Sequence, residues 1–74
     1  MSSPEFLRTA VESSVLTSVA YGTDQTLQLE FRSGAVYRYF AVPLTVFRAL
    51  LTAESKGAYF NRSIRNRFRY QRLA

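Results

Sequence analysis

Seventy-four residues with no cysteine and no histidine, and with ten basic against five acidic side chains, make one domain and exclude the usual staples of small folds, disulfides and zinc or iron–sulfur clusters. A chain of this size buries only about 60% of the surface its unfolded form exposes, and apolar burial must nearly match an ordering cost on the order of 100 kcal/mol. A partner chain is the stabiliser left to a sequence this short and this aromatic, with six Phe and five Tyr, so a homodimer is expected.

The charge is segregated. Lys56, Arg62, Arg65, Arg67, Arg69 and Arg72 fall in the last nineteen residues, which hold no acidic side chain, whereas residues 1–55 set four arginines against five carboxylates. Such a distribution creates a local positive field that draws a polyanion or an acidic surface. Nine of the ten cations are arginine, whose rigid fork of five donors fits phosphate oxygens and stacks on rings. No apolar run approaches the ~20 residues needed to span a bilayer, and the N-terminus lacks a basic stretch followed by a hydrophobic core and cleavage site. A cytoplasmic protein without membrane association is expected.

Residues 1–12 read as a loosely ordered segment and residues 13–74 as the folded domain. Val15 to Tyr21 alternates as a first strand, and Gly22-Thr23-Asp24-Gln25 as a turn. Thr26 to Phe31 gives the cleanest alternation, with Leu27, Leu29 and Phe31 on one face, the pattern of a half-buried antiparallel strand. Arg32-Ser33-Gly34 leads into a third strand, Ala35 to Val42. A three-residue loop with glycine in the left-handed third position favours Phe31 opposite Ala35, hence Leu29 opposite Tyr37, Leu27 opposite Tyr39, and Arg38 outward beside Gln28. The competing register, Phe31 opposite Val36, reverses the two faces and exposes both tyrosines.

Pro43 ends the strand and suits the first turn of a helix, where its missing N–H has no partner to lose. Leu44, Phe47, Leu50 and Leu51 follow at helical spacing over residues 43 to about 53. Ser55 or Gly57 interrupts this stripe, and a second helix fits Gly57 or Ala58 to about Asn66, with Phe60 and Ile64 four residues apart. Arg67 to Arg72 alternates at period two and reads as a short extended tail; the alternative, continued helix, would stack Arg62, Arg65, Arg69 and Arg72 on one side. The predicted fold is α+β, a three-stranded antiparallel β-meander followed by two short helices, in two layers. Its expected buried face joins Leu27, Leu29, Phe31, Tyr39, Phe47, Leu50 and Ile64.

Absence of histidine and cysteine removes the commonest general base, the usual triads and the thiol nucleophile. The carboxylates are scattered; only Glu5 and Glu12 lie close in sequence, in the loose segment. Isolated glycines at 22, 34 and 57 form neither a phosphate-cradling loop nor a dinucleotide fingerprint. A non-enzymatic domain with no catalytic, metal or cofactor site follows. What remains is arginine interleaved with aromatics, at Tyr37-Arg38-Tyr39-Phe40, Tyr59-Phe60-Asn61-Arg62 and Arg67-Phe68-Arg69-Tyr70. Arginines contact phosphates, and exposed aromatic faces stack on unpaired bases. Tyr37 and Tyr39 read as mainly structural strand residues. Arg62, Arg65, Arg67 and Arg69 form the expected phosphate-contacting patch, assisted by Arg38, Tyr59 and Tyr70.

The run Glu30-Phe31-Arg32-Ser33-Gly34-Ala35-Val36-Tyr37-Arg38-Tyr39, then Val42-Pro43, then Ser55-Lys56-Gly57-Ala58-Tyr59-Phe60-Asn61-Arg62-Ser63-Ile64-Arg65, closely resembles the KTSC domain. Tyr37-Arg38-Tyr39 matches that family's Y-x-Y motif, Gly34 its preceding turn, and Ser55 to Arg65 its later motif; the resemblance runs from about Ser13 to Tyr70. The family takes its name from the C-terminus of some lysyl-tRNA synthetases and also occurs as small stand-alone bacterial proteins. The resemblance implies nucleic-acid binding, RNA in particular, and no established enzyme activity. The expected partner is thus RNA or single-stranded nucleic acid, bound by a homodimer. The alternative is a protein-interaction module that engages an acidic partner surface.

Overall fold

A computed structural model describes residues 6–10 by their backbone and residues 13–74 with their side chains. The alternating segments form one sheet covered on one face by the helical ones, in the order β1 (Phe6–Ala10), β2 (Leu16–Gly22), β3 (Leu27–Phe31), β4 (Val36–Tyr39), α1 (Leu44–Thr52), α2 (Lys56–Ser63) and β5 (Tyr70–Arg72). Neighbouring strands are antiparallel and lie in chain order, with both helices in the connection from β4 to β5. The α+β class, the two layers and the antiparallel sheet leading into two short helices agree with the sequence.

The strand count is corrected from three to five. Phe6–Ala10, within the segment expected to be loose, pairs along β2 from Phe6↔Gly22 to Ala10↔Ser18. Tyr70–Arg72 pairs along β4 from Tyr37↔Arg72 to Tyr39↔Tyr70. Both additions occupy backbone donors and acceptors that an edge strand otherwise leaves to water or to another chain. Residues 1–5 and 11–12, with the carboxylates of Glu5 and Glu12, lie outside the described residues.

The β3–β4 hairpin adopts the favoured register, with Leu29 opposite Tyr37, Leu27 opposite Tyr39 and Gln28 opposite Arg38. Gly34 sets it: at φ +95 it takes the left-handed conformation that L side chains resist. Around it Phe31 N–H donates to Ala35 O at 2.9 Å and Gly34 N–H to Phe31 O at 2.9 Å. Tyr37 and Tyr39 therefore share the helix-covered face with Leu27 and Leu29, and Arg38 lies on the other face.

Pro43 takes the cap position of α1, extended rather than helical. Ser55 caps α2, its hydroxyl accepting from Ala58 N–H at 3.2 Å, which satisfies one of the donors every helix start leaves open. Phe47 and Leu50 of α1, with Phe60 and Ile64 of α2 and its end, pack on Leu16, Val19, Leu27, Leu29 and Tyr39, while Phe31 is partly buried against them. Tyr21 stacks on Phe47 with ring centroids 4.8 Å apart and donates its hydroxyl to Val42 O at 2.6 Å. No helix among the described residues is long and apolar enough to cross a membrane.

The segment leading into β2 approaches α2 closely where that helix begins. A Cβ at Gly57 would stand 2.8 Å from Val15 Cγ2 and 3.4 Å from Val15 Cβ. Val15 cannot easily give way: its side chain is β-branched, and its backbone is pinned by Ser13 Oγ on its N–H at 3.1 Å and by Arg32 N–H on its carbonyl at 2.8 Å. Gly57→Ala is therefore expected to destabilise by about 1–3 kcal/mol through overpacking, despite alanine's better helix propensity. Adding Val15→Ala should restore much of the loss in a denaturant titration; a Gly57→Ala protein as stable as the parent would show that this contact is slack.

Candidate functional site

Five aromatic rings converge where the β4–β5 side of the sheet meets α2. Phe31 meets Phe60 edge-on at 5.3 Å and Tyr37 at 5.8 Å, and Tyr39 meets Phe60 edge-on at 5.8 Å. Tyr37 and Tyr39 lie nearly parallel at 6.3 Å, and Tyr70 tilts against both at 5.6 and 5.7 Å. Strand pairing causes this convergence, because Tyr39↔Tyr70 and Tyr37↔Arg72 are opposed across β4 and β5 and opposed residues point to the same face. The rings enclose a cleft of about 530 Å³ whose remaining walls include Ser33, Ala35, Arg65, Asn66 and Arg72. Tyr39 and Phe60 form its buried floor, Phe31 and Tyr37 are half-buried, and Arg65, Asn66, Tyr70 and Arg72 form an exposed rim.

Both cations at the rim are arginines, and none of the lining side chains is acidic. The Arg72 guanidinium lies 5.7 Å from the Tyr37 ring centroid, within cation–π reach, and its Nε donates to Ala74 O at 2.9 Å. Arg65 extends from the turn after α2, with Nη1 at 3.5 Å from Asn61 Oδ1. The arrangement offers planar cations for an anion and ring faces for a planar group.

Of the residues singled out from the sequence, the cleft unites Arg65 and Tyr70. Tyr59 and Arg62 line a separate, smaller depression of about 360 Å³ beside Glu54 between the helices, with the Arg62 guanidinium 5.8 Å from the Tyr59 ring. Arg67 and Arg69 are exposed on the connection into β5 and do not line the cleft. Arg38 occupies the opposite face of the sheet, where its Nη2 donates to Gln28 Oε1 at 3.1 Å. The sheet itself thus separates Arg38 from the cleft.

Burial, followed by the neighbouring phenols of Tyr37 and Tyr70, pushes the Tyr39 hydroxyl up to about 12 against the opposing pull of Arg65. Its ordinary value is about 10. A phenol whose ionisation is resisted in the fold contributes stability that is fully present below pH ~10 and is lost as pH rises toward 12. Parent protein should therefore lose stability over this alkaline interval, and Tyr39→Phe, which keeps the ring, should lose less. Identical alkaline unfolding curves for the two would remove Tyr39 as the cause.

Residues 12–68 match the KTSC domain over most of the chain's length. The chain belongs to the KTSC domain family. A lysine–tRNA ligase of Trichormus variabilis is 54% identical over 52 residues, which cover 70% of this chain and 9% of the ligase. An uncharacterized protein of Stutzerimonas stutzeri is 47% identical over 68 residues, covering 89% of this chain and 96% of that one. The crystal structure of a KTSC domain protein from Yersinia pestis superposes with a TM-score of 0.89 at 28% identity, covering 93% of this chain and 99% of the other. The KTSC domain thus accounts for nearly all of some small bacterial proteins and for a small part of a much larger ligase.

Relative to this KTSC domain match, the cleft is partly peripheral: Tyr70 and Arg72 lie beyond residue 68, where the match ends. Sequence reasoning missed the roles of Phe31, Phe60, Asn66 and Arg72 in the cleft. The signal for Arg72 was the period-two tail, which puts residues 70 and 72 on one face. Only the register on β4 says that this face is also that of Tyr37 and Tyr39.

Proposed function

We propose that the domain is a non-enzymatic binder of single-stranded nucleic acid, RNA foremost, acting as a cytoplasmic homodimer. The observation that carries this reading is a cleft in which aromatic rings meet Arg65 and Arg72 with no acidic side chain in its lining. Arginine forks engage phosphate oxygens with charge-assisted hydrogen bonds, and aromatic faces accept bases of any identity. The wider field has the same sign, since the chain carries net +5. Occurrence of a similar segment in ligases named for tRNA agrees with RNA as the polyanion. The dimer contact is assigned to the outer sheet face around Val36 and the exposed Phe40, leaving the cleft open.

Titration of labelled RNA, single-stranded DNA and duplex DNA at two salt concentrations tests the binding. Affinity for the single strands is expected to exceed that for duplex and to fall with salt. Arg65→Gln and Arg72→Gln should each lower the salt slope by about 0.7, one phosphate contact's worth on a single strand. No binding of any nucleic acid at low salt would overturn this reading in favour of an acidic protein partner. Sedimentation at micromolar protein should give twice the chain mass, and Phe40→Asp should halve it; a strict monomer would remove the dimer.

A further inference from the structure

We propose that the aromatic cleft receives one unpaired nucleotide, its base stacked on Tyr70 and its phosphate held by Arg65 and Arg72. This inference rests on the nucleic-acid reading above and names the unit that is bound. Tyr70 is 58% exposed although it stands beside Tyr37 and Tyr39 at 5.6 and 5.7 Å. A large ring held at the mouth of an aromatic cleft, with more than half its surface in water, presents a face that a planar group can cover. A base is such a group, and stacking needs no particular base identity.

Beneath that ring the site is already formed. Phe31, Phe60 and Tyr39 brace one another edge-on, so the floor needs no rearrangement to accept a ligand. The volume, about 530 Å³, falls in the range of roughly 300–1,000 Å³ usual for small-ligand sites, which suits a single nucleotide rather than a helical stretch. Asn66 and Ser33 bring an amide and a hydroxyl to the walls, groups that can pair with base or sugar edges. The phosphate meets two arginine charges and no acidic side chain among the lining residues, and the Tyr39 phenol, pushed up to about 12 by its burial, adds no negative charge near neutrality.

A nucleotide can arrive free or as part of a strand, and the ligands tested separate these sources. Binding is to be measured for a short oligouridine, an abasic strand of equal length and uridine 5′-monophosphate, with the parent, Tyr70→Ala and Tyr70→Phe. Because a base stacked on an aromatic ring contributes about 5- to 150-fold in affinity, the parent should hold oligouridine that much more tightly than the abasic strand. Tyr70→Ala should erase the difference by weakening oligouridine alone, and Tyr70→Phe should retain it. Tyr70 is exposed, so these variants should stay folded, as their circular dichroism would verify.

Equal affinity for oligouridine and the abasic strand would overturn the base-binding cleft while leaving nucleic-acid binding intact. Uridine monophosphate bound without either strand, and lost in Tyr70→Ala, would keep the cleft but make it a site for free nucleotides, and the proposed function would fall. Failure of all three ligands to bind would overturn both. Strand binding that depends on the base and on Tyr70, with the free nucleotide bound weakly or not at all, would support the cleft as a reader of strands.

Discussion

A Phe47→Ala protein is expected to lose about 3–5 kcal/mol of stability, enough to unfold much of a domain near the lower end of the usual 5–15 kcal/mol range. Phe47 is only 3% exposed and stacks on Tyr21 with an interplanar angle of 12°. Truncation would open a cavity between β2 and α1 and leave Tyr21 without the ring that backs it. Helix α1 has little to replace that contact: it spans nine residues, has no side-chain cap, and its buried residues are Phe47 and Leu50. A helix so short is held by tertiary packing rather than by its own propensity. Denaturant unfolding checks the expectation, with Arg48→Ala as a neighbour on the exposed side that should change stability little. A Phe47→Ala midpoint equal to the parent's would show that the core closes without this ring.

What the sequence made legible were features determined locally. Leu27, Leu29 and Phe31 declare their face by alternation, and Gly34 declares the turn because it supplies the left-handed backbone the loop needs; together they set the position of every residue on β4. Helical spacing after Pro43 likewise placed Phe47, Leu50 and Ile64 in the core. The two outer strands were less legible because their structure depends on partners distant in sequence. Phe6–Ala10 has no period-two pattern of its own, and becomes a strand by pairing with β2. Tyr70–Arg72 has the alternation, but all three residues are exposed, so burial supplies no sign of its pairing with β4.

The cleft shows the same division. Its rings were visible as an aromatic surplus and its cations as a basic segment, but the sequence does not separate Arg72, which enters the cleft, from Arg67 and Arg69, which remain outside it. Arg38 illustrates the opposite problem. Sitting between Tyr37 and Tyr39, it looks like their partner in an arginine–aromatic cluster, yet adjacent residues on a strand point to opposite faces. The register that brings both tyrosines to the helix side sends Arg38 to Gln28.

Replacing Arg62, Arg65, Arg67 and Arg69 together with glutamine is expected to produce the largest loss of binding. The four fall within eight residues, and each is exposed. If each neutralises one phosphate of a single strand, their removal lowers the salt slope by about 3, so that over a fourfold rise in salt the parent loses about 50-fold more affinity than the variant. Stability should change little, because exposed side chains without strong partners usually contribute within about 0.5 kcal/mol each. Arg48→Gln, which removes one exposed arginine outside the basic segment, provides the comparison and should alter the slope less than Arg65→Gln does. Backbone contacts should weaken different base sequences alike, whereas a loss confined to one sequence would assign the arginine concerned to base reading. Retention of the parent's affinity and salt slope by the four-arginine variant would move the phosphate contacts elsewhere, with Arg72 in the cleft the next residue to replace.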